Sequence, residues 1–300
     1  MQNTGNIKGL ILINPYLIPK QSVDQAERLK EEFSALNVQT EIIADGFLSS
    51  GITNGKLNSA LNGVDFIIYL DKDKYLSATL EKCGIRLFNR HDAVRICDDK
   101  AETCICLAGH DIKLPDTIFG TLCYSAESSV PNSHADKIAK RLGFPIIVKE
   151  SFGSMGKGVY KADDKNELLV IMEKVKLKPH IFQEYIGFNK GKDIRIIVIG
   201  GKAVACMERF NPNDFRSNIA TGGKGTPIIP PQSFIQTAEK CARVIGLDYC
   251  GVDLLTDKDG NPVVCEVNSN AFFEGIEKVT GINVAKLYAE HILESIKNIK

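Results

Sequence analysis

Neither sign of charge is in excess in this chain: 37 Lys and Arg stand against 37 Asp and Glu. That balance removes the global basic field that a nucleic-acid or anionic membrane surface would attract. Long hydrophobic runs are also missing. The first apolar run, residues 9–13, is short and broken by Asn14-Pro15, which fits neither a signal-peptide core nor a membrane span. The nine cysteines are an odd number without regular spacing, and Cys104 and Cys106, one residue apart, match neither a zinc nor a thioredoxin pattern. Cys206, Cys250 and Cys265 lie in apolar runs, as small reduced core residues do. The five histidines lack metal-ligand spacing, and no Ser/His/Asp or Cys/His set stands out. Internal repeats and low-complexity tracts are absent. The expectation is a soluble cytoplasmic protein with no nucleic-acid or membrane partner.

What is present suits a globular chain. Three hundred residues, 44% hydrophobic and 25% charged, are enough for two domains or three small ones. Strand-like runs at residues 8–13, 40–44, 63–70 and 86–88 alternate with helical spacing at 22–36 and 75–83. Such alternation predicts a parallel sheet with crossover helices. This first unit has no Gly-x-Gly-x-x-Gly fingerprint and is not read as a dinucleotide site. Residues 91–108 are expected to form one helix carrying Lys100, and 134–142 another, leading into a strand at 146–149. A helix over 163–174 and a strand over 180–186 follow, then a break at 187–191 read as a hinge. Strands at 193–199 and 203–208 form a hairpin, 210–231 reads as loop, and helices are expected at 233–245 and 283–299.

The most informative stretch is 249–270. Two apolar runs flank Asp257-Lys258-Asp259-Gly260-Asn261, a β-hairpin signal, yet Asp253, Glu266 and Asn268 sit within or at the ends of its arms. Acids and Asn are depleted in strands and costly to bury unpaired. Glu266 and Asn268, two apart, share a strand face. A two-residue turn at Asp259-Gly260 would place Asp253 opposite Glu266, where the two carboxylates repel unless a positive charge lies between them. Mg²⁺ fits that position, because it takes few protein carboxylates and fills its other sites with water or phosphate. A three-residue loop shifts the pairing by one and weakens the argument. On these residues alone, an edge hairpin whose acids face water is an equal reading.

Other candidates are weaker singly. Gly153, Gly156 and Gly158 lie in a loop between strand-like segments, where missing Cβ atoms would let backbone N–H groups approach phosphate. A glycine-rich turn is as good a reading, and the P-loop is absent because Val159 stands where it needs lysine. Lys149 ends an apolar strand, where lysine is seldom buried unpaired; it is either a phosphate contact or a snorkelling edge residue. Lys100 alone reads as surface charge. Glu184, Tyr185 and Ile186 end a strand and offer groups for an adenine edge. Asp193 and Arg195 share a strand face, equally good as a structural ion pair. Arg209 and Arg216 lie near a Gly-rich segment, 222–225; guanidinium forks suit carboxylate and phosphate, though either alone reads as loop charge.

Together these stretches resemble the ATP-grasp superfamily, most nearly the ribosomal-protein-S6-type (RimK-like) α-L-glutamate ligases and related amino-acid ligases. The resemblance is carried by residues 144–149, 153–158, 183–186, 193–195, 208–209, 214–218, 251–253, 266–268 and 274–277, in order, and covers the chain from about His91 onward. It implies an α/β (α+β) ATP-grasp fold. Residues 1–92 would be a pre-ATP-grasp Rossmann-like domain, 93–187 a central subdomain with the phosphate loop, and 188–300 a subdomain with the metal-binding hairpin. Lys100 and Lys149 would contact nucleotide phosphates beneath the loop of Gly153, Gly156 and Gly158. Glu184, Tyr185 and Ile186 would hold the adenosine with Asp193 nearby, and Arg216, Ser217 and Asn218 would complete the nucleotide and acceptor side. Asp253, Glu266 and Asn268 would be the ligands of Mg²⁺ (or Mn²⁺), with two ions expected.

The implied reaction is ATP-dependent carboxylate–amine ligation through an acyl phosphate, with Arg209 and Arg216 at the acyl phosphate or tetrahedral intermediate. Its partners would be a small-molecule or peptide carboxylate and an amino acid such as glutamate, and the assembly a homodimer or tetramer. Relatives commonly carry Pro soon after the metal-binding Asn, whereas here Asn270-Ala271-Phe272-Phe273 follows. The acceptor is therefore expected to differ from a ribosomal protein. Alternatives are a small-molecule kinase of the same fold, a nucleotide-binding protein without turnover, and a sheet protein whose hairpin acids bind Ca²⁺ structurally.

Overall fold

The computed structural model describes residues 7–16, 20–44, 46–154, 156–217 and 222–298. Asn218, expected at the nucleotide, lies outside the described residues. The chain opens with β1 (Lys8–Leu12), α1 (Lys20–Ala35) and β2 (Gln39–Ile43), then a small antiparallel hairpin of β3 (Ser50–Thr53) and β4 (Lys56–Ser59). β5 (Phe66–Tyr69), α2 (Lys74–Lys82) and β6 (Leu87–Phe88) complete a four-stranded parallel sheet of order β2-β1-β5-β6. The β3–β4 hairpin was not expected. Its signal is Asn54-Gly55, both at positive φ (51° and 73°), the pair a tight hairpin turn favours; short polar arms hide it from any hydrophobic pattern.

α3 (His91–Asp98) and α4 (Lys100–Leu107) replace the single helix expected over 91–108. Asp99 separates them: its backbone is extended (φ −103°, ψ 112°) and its carboxylate accepts the N–H groups of Ala101 and Glu102. An acid able to cap a helix start competes with continuing the previous helix. Next come β7 (Thr117–Phe119), α5 (Asn132–Leu142), β8 (Ile146–Glu150), β9 (Val159–Ala162), α6 (Lys165–Val175) and β10 (His180–Glu184). They form an antiparallel sheet, β7-β10-β8-β9, whose core (Ile146, Val148, Leu168, Phe182) is its own.

The last third is built on β11 (Lys192–Ile199), β12 (Lys202–Phe210), β13 (Lys224–Pro227), α7 (Gln232–Ile245), β14 (Tyr249–Thr256) and β15 (Pro262–Asn268), followed by α8 (Glu274–Thr280) and α9 (Val284–Lys297). The five strands order as β13-β12-β11-β14-β15, all antiparallel. β13 corrects the expectation of loop throughout 210–231; it lies on the sheet edge, held by four residue pairs with β12 rather than by an apolar run of its own. One face of this sheet packs α3, α4 and α7 through Ala93, Cys97, Leu107 and Phe234. The other face shares a continuous core with the N-terminal sheet: Phe33 and Phe66 join Ile197, Tyr249, Phe273 and Ile292. Asn89 ties the same two parts together. Its side chain donates to the carbonyls of Tyr249 and Ser269 (2.7 Å each) and accepts from the N–H groups of Asp248 (2.8 Å) and Tyr249 (2.9 Å). The central sheet therefore stands over a composite base, and a cleft runs between them.

Candidate active site

The hairpin β14–β15 forms the floor. It closes through a three-residue loop, 258–260, because Asp257 pairs with Asn261 and Thr256 with Pro262. The two-residue turn expected here is thus corrected, and with it the register argument as first framed. A bulge between Asp253/Leu254 and Val264/Glu266 leaves Cys265 as the extra residue and brings Asp253 opposite Glu266 after all. Val264 then points into the core and Glu266 out of it, toward the cleft.

The charge that relieves Asp253 comes from the protein. Arg195 stands opposite it on β11 and grips it with two hydrogen bonds of 2.7 Å, and Arg209 Nη2 lies 2.9 Å from Asp253 Oδ2. Arg209 also forks onto Asp193 at 2.7 and 2.5 Å. Asp193, Arg209 and Asp253 are 7%, 2% and 2% exposed, so this is a buried relay across three strands. Burial pushes the Asp253 carboxyl up, but the attraction of Arg195 and Arg209 outweighs it and holds the group below its usual range. Burial likewise works against the Arg209 charge, and Asp253 and Asp193 more than restore it. Asp193 pairs with Arg209 rather than with Arg195 on its own strand. Arg195, which sequence reading did not single out as a site residue, carried one signal: it recurs two positions after Asp193 in an apolar strand.

Glu266 and Asn268 face the open side. Lys100 Nζ lies 3.5 Å from Glu266 Oε1, and the side-chain amide nitrogen of Asn268 is buried without a partner. Such an orphan, beside a half-buried carboxylate on the same strand face, fits a site that is completed by a ligand. Among the described residues no three His, Cys, Asp or Glu side chains converge on one point. A carboxylate and an amide, with Asp253 already engaged by arginines, fit Mg²⁺ carried on phosphate oxygens. They do not fit a structural Ca²⁺ site, which takes six to eight oxygens.

The roof is the central sheet. Lys149 on β8 is 8% exposed and donates to the carbonyl of Cys265 at 3.3 Å, next to the bulge. β8 lies between β10 and β9, so Lys149 is no edge lysine. Beyond it, Gly153, Gly156 and Gly158 have φ of 139°, 74° and 73°; a Cβ on Gly158 would sit 3.1 Å from the Glu150 side chain. Lys100 Nζ donates to Gly153 O (3.0 Å) and Arg216 Nη1 to Gly156 O (2.9 Å), so cations from both sides pin this loop over the cleft. Arg216 also grips Asp214. Glu184 spends one carboxylate oxygen on the Asp116 N–H (3.0 Å), while Tyr185 packs edge-on to Phe215 with ring centroids 6.5 Å apart.

Between floor and roof is a slot lined by residues of both sheets. One end is apolar, with Pro115, Ile147, Ile186 and Leu255; the other holds Lys100, Lys149, Arg216 and Glu266, and Ser217 also lines it. A second, wider cleft adjoins it, sharing Ser154, Arg209 and Glu266. Asn14, Asp71 and Lys72 from the N-terminal sheet line that cleft against Asn268, Asn270 and Phe272. The N-terminal contributors were invisible to sequence reading, because only tertiary packing brings loops some 200 residues apart together.

A family description, the RimK-like ATP-grasp domain, matches residues 97–292. The chain belongs to the RimK-like ATP-grasp family. Relatives include β-citrylglutamate synthase B of Danio rerio, 34% identical over 225 residues, covering 74% of this chain and 54% of that protein. A probable α-L-glutamate ligase of Maridesulfovibrio salexigens is 37% identical over 215 residues, covering 71% of this chain and 68% of that protein. The chain thus spans little more than half the length of the first of these relatives. Among solved structures, the D-alanine–D-alanine ligase of Bacillus anthracis complexed with ATP superposes with a TM-score of 0.71 over 98% of both chains at 20% identity. This shared ATP-grasp architecture accounts for two sheets closing on one slot. Among the described residues no helix is long and apolar enough to cross a membrane.

Proposed function

We propose that this RimK-like ATP-grasp protein is an ATP-dependent carboxylate–amine ligase that forms an amide bond through an acyl phosphate. The observation that carries the reading is the meeting of two clefts at Glu266, Arg209 and Ser154: a slot between the two sheets, lined by Lys100, Lys149 and Arg216, opens into a separate, wider cleft. A phosphoryl donor and an acceptor can then approach one point from different sides, which supplies the positioning that such a transfer needs. The names of the relatives, a β-citrylglutamate synthase and a probable α-L-glutamate ligase, support an amino acid such as glutamate as the amine.

In this reading the adenine occupies the apolar end, bordered by Glu184, Tyr185 and Ile186, and the triphosphate runs toward Lys100, Lys149 and the glycine loop. Glu266 and Asn268, with Asp253 behind them, would hold the Mg²⁺ ions that neutralise phosphate charge. The acceptor carboxylate attacks the γ-phosphorus, and the bond to the β,γ-bridging oxygen breaks to release ADP. The amine then adds to the acyl carbon and phosphate departs, leaving the amide. Lys100, Lys149 and Arg216 would stabilise charge along this path, and Arg209, its charge balanced by Asp193 and Asp253, would hold the floor of the site in place. The kinase alternative stops after the first transfer and uses the same two clefts, so it is separated from the ligase by the amine requirement alone.

The test is ADP release with Mg²⁺-ATP and pooled amino acids, peptides and small carboxylates, with products read by mass spectrometry and Glu266→Ala as control. Release that needs both acid and amine, with a mass gain equal to condensation minus water, is expected. A gain of phosphate mass without an amine requirement would instead identify a kinase.

A further inference from the structure

The acceptor-side cleft contains a carboxylate with no task in the reaction just described. Asp71 follows β5 and is half-buried on the cleft wall. Asn14, in the loop after β1, donates its amide nitrogen to both Asp71 oxygens at 3.1 and 3.2 Å, and the Lys72 N–H donates to Oδ1 at 2.7 Å. The Asn14 side chain is itself fixed, accepting the Tyr16 N–H at 2.9 Å. Among the described residues these donors are all neutral. Every cation lining the same cleft is already engaged: Lys72 with Asp98 (2.9 Å), Arg195 and Arg209 with Asp253, and Lys278 with Glu274. A carboxylate has about four lone-pair sites, and these contacts leave Oδ2 with capacity to spare.

A partly buried carboxylate held by neutral donors and with acceptor capacity left over is suited to a cationic partner, which would add a charge-assisted hydrogen bond. Hydrogen bonding across the domain boundary sets its position relative to the reacting end: Asn270 Nδ2 donates to Leu70 O at 2.9 Å, so the strand end that bears Asp71 is fastened to the segment following Asn268. We propose that Asp71, oriented by Asn14, binds the ammonium group of an amino-acid-type acceptor, the substrate whose carboxylate takes the phosphoryl group, in the acceptor-side cleft. The inference rests on the ligase reading for the purpose of the site, and on geometry alone for its chemistry. It assigns the N-terminal sheet a role in substrate selection.

The experiment reads binding rather than turnover. Saturation-transfer NMR is recorded on the full chain with Mg²⁺ and a non-hydrolysable ATP analogue, against the twenty common amino acids and their N-acetyl derivatives. At least one free amino acid is expected to bind in clear preference to its N-acetyl form. Asp71→Asn is expected to weaken that binding about tenfold or more, the order for a lost charge-assisted contact, with the nucleotide-induced thermal shift retained. Asn14→Ala should weaken it by a smaller factor. Binding of no free amino acid, equal binding of the N-acetyl form, or unchanged binding by Asp71→Asn each overturns the proposal. If Asp71→Asn loses the nucleotide shift, the N-acetyl comparison on the unaltered chain decides alone. Condensation products with unaltered Asp71→Asn binding would sink this inference and leave the ligase standing; ammonium-selective binding without condensation would do the reverse.

Discussion

Arg209 and Lys149 look alike in sequence, basic residues in apolar strands, and the structure gives them opposite energetics. Arg209 sits between Asp193 and Asp253, and removing it leaves two buried carboxylates short of partners. Arg209→Met is expected to cost about 3–5 kcal/mol of stability, measured by urea unfolding, because breaking a buried ion pair strands its charges. Among the described residues Lys149 has no anionic partner; it donates to the carbonyl of Cys265 at 3.3 Å and to its Sγ at 3.9 Å. Lys149→Met should therefore change stability in the absence of nucleotide by less than about 1 kcal/mol. The same variant should abolish most of the stabilisation that Mg²⁺-ATP confers, about 2.7 kcal/mol at a hundred times Kd for a competent site. Thermal unfolding with and without nucleotide separates the two effects; an equal loss of stability in both variants would contradict the distinction.

At the scale of elements, the β14–β15 hairpin shows what a residue pattern can and cannot say. Asp253, Glu266 and Asn268 were legible as misplaced polar groups, and the hairpin itself as two apolar arms. The loop length and the bulge at Cys265 were not, since two one-residue shifts that cancel leave no trace in the alternation. The loop is held by Asp257, which accepts from Lys113 Nζ (2.6 Å) and from the N–H groups of Asp259 and Asn261 (2.8 Å each). The Lys113 bond and these turn donors lower its pKa from 3.8 to about 2. A depressed carboxyl stabilises the fold fully above its unfolded pKa and loses that contribution as pH falls through the folded one. Asp257→Asn should therefore flatten the decline in urea midpoint between pH 4 and pH 2, relative to the unaltered chain. An identical decline in both proteins would show that the loop does not depend on this charge. The split of α3 from α4 was legible too, in hindsight, from Asp99 as a helix cap; helical spacing on both sides of it concealed the break.

For the whole molecule, the N-terminal sheet is part of the base on which the site is built. Its core is continuous with the face of the C-terminal sheet that carries Ile197 and Tyr249, and Asn89 makes four hydrogen bonds across that boundary. Asn89→Ala leaves four backbone groups to find new partners, and a loss of about 3 kcal/mol or more is expected. Because the core is shared, hydrogen exchange should rise together in β5 and β14; a rise confined to β5 and β6 would show that the parts unfold separately.

The sequence by itself determined most element types, the acidic hairpin, the glycine loop and the family, because these rest on periodicity and on residues in fixed order along one chain; the β3–β4 hairpin, β13 and the α3–α4 break escaped it. Only the tertiary structure decided which charges meet. Arg195 and Arg209 reach Asp253, and Asp193 reaches Arg209, through cross-strand pairing, and Asn14 and Asp71 reach the far cleft through sheet packing. Contacts of that kind depend on register and on burial at long sequence separation, and no local pattern encodes them.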